Sequence, residues 1–147
     1  MVCLGNICRS PMAEGILRSR LSEVNAKVIV DSAGTSEFHS GDQPDPRAIS
    51  TLRKNKIDIS GLAARQFTVN DFDEFDLIYV MDSSNLMNVL SLARNEQDKQ
   101  KVKMLMDEVS PSQNVSVPDP YFGDSDGFVR VYEMIDSASQ KIALRFK

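Results

Sequence analysis

The residues that could do the most chemistry are Cys3 and Arg9, with five residues between them in the run Cys3-Leu4-Gly5-Asn6-Ile7-Cys8-Arg9-Ser10. If that run turns from a strand into a helix, several unpaired backbone N–H groups and the positive helix end converge on whatever it encloses. The preferred guest is an anion. Gly5 permits backbone conformations that other residues resist, and the planar fork of Arg9 can bind two oxygens of a phosphate at once. The N–H dipoles, Arg9 and the Ser10 hydroxyl favour thiolate over thiol at the mouth of this cradle, which makes Cys3 a nucleophile. Facing a phosphate monoester, it suggests covalent phosphoryl transfer through a cysteinyl-phosphate that water then hydrolyses. The leaving oxygen needs a proton. With His39 the only histidine, a carboxylic acid is the better donor, and Asp119 stands between Pro118 and Pro120 in a stiff stretch of backbone. A dianionic ligand beside it would favour its acid form, and after transfer the same carboxylate could act as base toward the attacking water.

For these groups to meet, the cysteine must end a strand at the carboxyl edge of a parallel sheet, where open α/β sheets bind ligands. Apolar, β-branched runs at Lys27 to Val30 and Leu77 to Met81, with Val102 to Met106, read as further strands alternating with helices. Ser10-Pro11 reads as a hydroxyl cap and first-turn proline for a helix over Pro11 to Glu23, with Met12, Ile16, Leu17 and Leu21 on one face. Periodicity predicts helices over about Pro46 to Asn55 (Ala48, Ile49, Leu52), after Asp82 (Leu86, Val89, Leu90, Ala93), and over about Gly127 to Arg145 (Val131, Ile135, Ala138, Ile142). Val109 to Asp126, with Pro111, Pro118, Pro120 and Gly123, reads as a long loop, and loops of that length tend to be functional. The acidic run Asp71 to Asp76 reads as a solvated turn with its rings buried, His39 as an exposed loop residue, and Met104 and Met106 as core packing.

Composition narrows the function classes. The chain has 147 residues, 41% hydrophobic and 26% charged, without repeats or a linker-like tract, which suits a single domain over residues 1–147. No apolar run approaches the roughly 18 residues of a membrane span, and no secretory signal pattern stands at Met1 to Asn6, so the expected location is cytoplasmic, with no membrane partner. A net charge of −4 argues against nucleic acid as a partner. Two cysteines and one histidine complete neither a disulfide framework nor a zinc site of usual spacing.

The run Cys3 to Pro11, together with Val117-Pro118-Asp119-Pro120-Tyr121, resembles the low-molecular-weight protein tyrosine phosphatases. Asp31 to Ser36, Asp45-Pro46-Arg47, Ala64-Arg65-Gln66 and Met81 to Asn85 agree in order and spacing, so the likeness spans nearly the whole chain. It implies a four-stranded parallel sheet with helices on both faces, of the flavodoxin-like three-layer kind. It implies Cys3 as nucleophile, Arg9 as phosphate clamp and Asp119 as general acid, with Leu4, Gly5, Asn6, Ile7, Cys8 and Ser10 completing the phosphate-binding loop. It implies no metal and no cofactor. Asn6 and Ser10 would hold the loop and stabilise the thiolate, with Ser32 as a hydrogen-bonding support behind them. Phe38, Tyr121 and Phe122 fall where the family places walls of the substrate cleft, and a deep slot between aromatics favours phosphotyrosine or a small aryl phosphate over phosphoserine. Phosphate-like oxyanions are the expected inhibitors. A monomer is expected, with the aromatic rim a place for weak self-association. Cys8 matches a second loop cysteine that could form a reversible disulfide with Cys3.

Two departures carry expectations of their own. Only Met1 and Val2 precede Cys3, where the family has several apolar strand residues, so either the first strand is stunted or the start is misassigned. Leu62 stands where many relatives have a histidine bonded to the loop asparagine, so Asn6 should be less firmly propped. Three other activities compete. An arsenate reductase of the same fold would need further cysteines, and none follows Cys8. An arginine-phosphate phosphatase would tend to carry threonine at Ile7. A phosphate-binding module without turnover would have no use for a thiolate aimed at phosphorus.

Overall fold

A computed structural model describes residues 1–147. The elements in chain order are β1 (Val2–Cys3), α1 (Arg9–Glu23), β2 (Ala33–Gly34), α2 (Pro46–Arg53), α3 (Asn70–Glu74), β3 (Ile78–Val80), α4 (Ser83–Leu90), α5 (Glu96–Gln100), β4 (Val102–Met104), a 3-10 turn over Leu105–Glu108, and α6 (Ser125–Leu144). The four strands form one parallel sheet in the order β2-β1-β3-β4, with Val2 opposite Ala33 on one side and Val80 on the other. The central strand ends at Cys3, so the nucleophile candidate stands at the carboxyl edge of the sheet.

Alternation along the strands sends side chains to two cores. Val2, Ile78, Val80 and Met104 pack with Phe67, Phe72 and Val89. Cys3 and Tyr79 face the larger cluster, built with Met12, Ile16, Leu52, Phe128, Val131 and Ile135 from α1, α2 and α6. Helices therefore cover both faces, as the family likeness implies. Val131, Ile135, Ala138 and Ile142 all point inward from α6, four consecutive contacts of one helical stripe. Asp45, Asp82 and Asp124 cap α2, α4 and α6 by accepting from backbone N–H groups in the first turns.

Several expectations change. Lys27 to Val30 is not a strand: it lies beyond the β1 ladder, whose bonds on that side join Met1 to Asp31 and Ala33, so it has no partner to pair with. Helix α1 begins at Arg9 rather than Pro11, and Ser10 is not its cap. Cys8 occupies the cap position without a side-chain bond, and Pro11 sits inside the first turn, where its missing N–H costs nothing. The run Asp71 to Asp76 holds the short helix α3, with Asp71 buried and paired with Arg65 at 3.0 Å, rather than a solvated turn. The stretch Val102 to Met106 divides into β4 and the 3-10 turn. No helix is long and apolar enough to cross a membrane.

Candidate active site

Parallel pairing brings three chain segments to the end of β1, and each contributes a polar group. Thr35 and Ser36 donate their N–H groups to the carbonyls of Cys3 and Leu4, both at 2.9 Å, which lays the 33–36 stretch against the Cys3–Ser10 loop. Gly34 makes that approach possible, because a Cβ there would lie 2.7 Å from the Leu4 carbonyl oxygen. The loop turns at Asn6, whose φ of 56° is left-handed, a conformation asparagine tolerates better than most residues.

Cys3, 3% exposed, has two hydrogen-bond partners: the Asn6 N–H at 3.3 Å and the Ser10 hydroxyl at 3.0 Å. A network stands behind them. Asn6 Nδ2 donates to Ser10 Oγ at 2.7 Å and to Ser32 Oγ at 3.0 Å, while Ser32 Oγ donates to Oε1 of the buried Glu14 at 2.7 Å. Asn6 Oδ1 accepts from the Arg65 N–H at 3.1 Å. The Asn6 side chain thus has three partners, none of them Leu62. Two hydroxyl acceptors and one backbone donor hold the amide where a histidine is absent.

Arg9, also 3% exposed, is fixed through one nitrogen: Nη1 donates to Asp82 Oδ2 at 2.6 Å and to the Val117 carbonyl at 3.1 Å. Its remaining N–H donors have no hydrogen bond within the chain and are the fork left for an oxyanion. Asp82, at the carboxyl end of β3, serves twice, since its other oxygen caps α4 through Asn85. The loop carrying Asp119 is held to the same sheet edge by Val117, whose N–H donates to the Met81 carbonyl at 2.8 Å. Asp119 keeps a 42% exposed side chain; Oδ2 lies 3.7 Å from Arg9 Nη2 and Oδ1 accepts from the Tyr121 N–H at 3.1 Å.

Cys8 is buried, and that burial pushes its thiol up to about 12, so it remains protonated beside Cys3. Phe38 and Phe122 are 83% and 93% exposed and stand edge-on to His39 and Tyr121, at ring separations of 4.9 Å for both pairs. His39 is not a free loop residue: it is half buried, bonded to Asp42 at 3.1 Å, and its ring edge would lie 3.0 Å from a Cβ at Gly5. Sequence reasoning also missed the partnerships of Glu14, Asp82 and Arg65. Only Asp82 left a signal, an acidic residue directly after a strand.

Comparisons with known proteins bear on the chain as a whole. The low molecular weight phosphotyrosine protein phosphatase family model matches residues 1–147. A low molecular weight phosphotyrosine protein phosphatase of Schizosaccharomyces pombe is 42% identical, covering 95% of this chain and 90% of its own. Among solved structures, a protein tyrosine phosphatase of Entamoeba histolytica with Hepes in its active site superposes with a TM-score of 0.91 at 35% identity, over 98% of this chain and 92% of its own. Wzb of Vibrio vulnificus in complex with benzylphosphonate superposes with a TM-score of 0.87 at 29% identity, over 98% and 94%.

Proposed function

The chain belongs to the low molecular weight phosphotyrosine protein phosphatase family, and on that premise we propose that Cys3 Sγ attacks the phosphorus of an aryl phosphate held in the Cys3–Ser10 loop. The enzyme is a protein-tyrosine-phosphatase, and its substrates are phosphotyrosine and small aryl phosphates. In the first step the S–P bond forms as the bond from phosphorus to the phenolic oxygen breaks, and that oxygen takes the proton of Asp119. Ser10 donates to the sulfur in its thiolate state, while the free donors of Arg9 and the loop N–H groups bind the phosphoryl oxygens. In the second step water attacks phosphorus and gives a proton to the Asp119 carboxylate. The S–P bond breaks, releasing inorganic phosphate and restoring the thiolate.

What carries this reading is the 3.7 Å between Asp119 and Arg9: the proton donor stands beside the cation that would hold the phosphate. The exposed rings of Phe38, Tyr121 and Phe122 support an aryl substrate, since they leave aromatic faces and edges free for a flat ring to pack against. Phosphate-like oxyanions are expected to compete for the same donors. Two free cysteines, one of them a nucleophile, suit the reducing cytoplasm.

Hydrolysis of p-nitrophenyl phosphate in EDTA by wild type, Cys3→Ser and Asp119→Ala tests the assignments. Expected are activity in wild type, none in Cys3→Ser, and a fall in Asp119→Ala that this activated leaving group holds to the low end of about 10²–10⁴. A Cys3→Ser variant that still turns over removes the nucleophile. A wild type that binds phosphate and hydrolyses nothing makes the chain a binding module.

A further inference from the structure

Asp45 and Arg47 lie outside the catalytic steps, yet they join the two halves of the site. The Asp45 N–H donates to the carbonyl of Ile7, inside the loop, at 2.8 Å. The buried Asp45 carboxylate accepts from the Arg47 N–H at 2.8 Å, from its Nε at 3.0 Å and from its Nη2 at 2.9 Å. Burial pushes that carboxyl up, but the Arg47 bonds outweigh it and hold Asp45 below the usual carboxylate range. Arg47 Nη2 also donates to the Tyr121 carbonyl at 3.0 Å, and its guanidinium carbon stands 4.7 Å from the Phe128 ring centroid and 5.6 Å from that of Tyr121. Tyr121 in turn gives its N–H to Asp119 Oδ1 at 3.1 Å.

The path from Ile7 to Asp119 is therefore unbroken. We propose that Arg47 is a positioning residue: a strut that ties the segment bearing Asp119 to the phosphate-binding loop and sets where the acid meets the leaving oxygen. This rests on the general-acid reading of Asp119. A guanidinium suits the task because its planar fork can serve the Asp45 carboxylate and the Tyr121 carbonyl together while its face lies against Phe128. A lysine ammonium has neither the fork nor the flat face. Misplacing an acid by a fraction of an ångström lowers the rate of proton transfer and leaves phosphate binding alone.

The test compares kcat/KM for phenyl phosphate, whose leaving group needs a proton, with that for p-nitrophenyl phosphate, whose leaving group needs one less. Arg47→Met is expected to lower the first about tenfold and the second no more than about twofold, with the inhibition constant of inorganic phosphate unchanged. Arg47→Lys should fall between wild type and Arg47→Met, and it serves alone if Arg47→Met does not fold. In an Asp119→Ala background, adding Arg47→Met should cost nothing more, because the group being positioned is gone. Equal losses on both substrates, a weakened phosphate inhibition constant, or a further loss in the Asp119→Ala background each overturn the strut. If Asp119→Ala itself fails to distinguish the two leaving groups, the general-acid reading falls and takes the strut with it. If Asp119→Ala distinguishes them and neither Arg47 variant does, only the strut falls.

Discussion

The Cys3–Ser10 loop and the segment that carries Asp119 meet at one site but are built in opposite ways. In the loop, Cys3, Asn6, Arg9 and Ser10 are all buried, and each has at least one side-chain hydrogen bond. The segment between the 3-10 turn and α6 has no regular structure and is held at few points: Val117 to Met81 and Arg9, Tyr121 to Arg47. Phe122, three residues past the acid, is almost wholly exposed. The difference fits the two tasks proposed for them. An anion hole works only if its donors are in place before charge arrives, which calls for burial and a closed network. A proton donor must reach the leaving oxygen of whatever ring is bound, and it can do so from the surface once a few anchors fix its approach.

Removing one function from each region should separate them. Asp119→Asn is expected to lower kcat/KM for phenyl phosphate by about 10²–10⁴ while the inhibition constant of phosphate stays within about twofold. Arg9→Lys should lower kcat/KM by about 10²–10³ on every substrate and weaken phosphate inhibition in step, because one ammonium cannot serve Asp82, Val117 and two phosphate oxygens. Steady-state kinetics with phosphate as inhibitor checks both. If Asp119→Asn weakens phosphate as much as Arg9→Lys does, the two regions are not divided in this way.

Rigidity should differ as function does. A Cβ at Gly34 meets the Leu4 carbonyl at 2.7 Å and the Asn6 nitrogen at 3.0 Å, both backbone atoms that cannot step aside. Gly34→Ala should therefore cost roughly 1–3 kcal/mol in denaturant unfolding and lower activity with it. At Gly123, in the acid-bearing segment, the nearest atom is 3.6 Å away, and Gly123→Ala should change stability by no more than about 0.5 kcal/mol. Equal costs at the two glycines would mean that the loop is not the stiffer region.

The sequence was informative where one local rule decides the outcome. The stripe on α6 and the aspartate cap of α4 are visible because a helix repeats its contacts every three or four residues and needs an acceptor at its start. Helices α3 and α5 span five residues each, too few for a period to show, although Asn95 accepting from the Asp98 N–H is a cap that the sequence spells out. Lys27 to Val30 has the composition of a strand and lacks only a partner, which composition cannot supply. At the site, Cys3 and Arg9 were legible because both lie in one short turn. The roles of Asp82, Glu14 and Arg65 were harder to read: sheet topology brings Asp82 and Arg65 beside that turn, and Glu14, though in α1, joins the network only through Ser32, which the same topology places there. Of the two readings of Ser10, the helix cap fails and the bond to Cys3 stands: its hydroxyl reaches the sulfur across the loop instead of the helix start.

Glu14 offers the smallest effect and the finest probe of the loop. It lies buried in α1, two hydrogen bonds from Asn6 by way of Ser32, with Arg18 Nη1 2.7 Å from its Oε2. Burial raises its carboxyl above the ordinary value of 4.5, and the Ser32 bond and Arg18 offset only part of that. The folded protein therefore holds a proton that the unfolded chain has already released as pH climbs past about 4.5, so stability from this group falls with rising pH until the folded carboxyl has ionised too. Glu14→Gln cannot ionise. Its stability relative to wild type should rise from about pH 4.5 upward and level off once Glu14 is charged in the folded wild type. Any constant offset from placing an amide beside Arg18 leaves that slope untouched. Denaturant unfolding of both proteins at a series of pH values reads the slope directly, and a flat difference would mean that Arg18 compensates the charge in full and that the network behind Cys3 is indifferent to it.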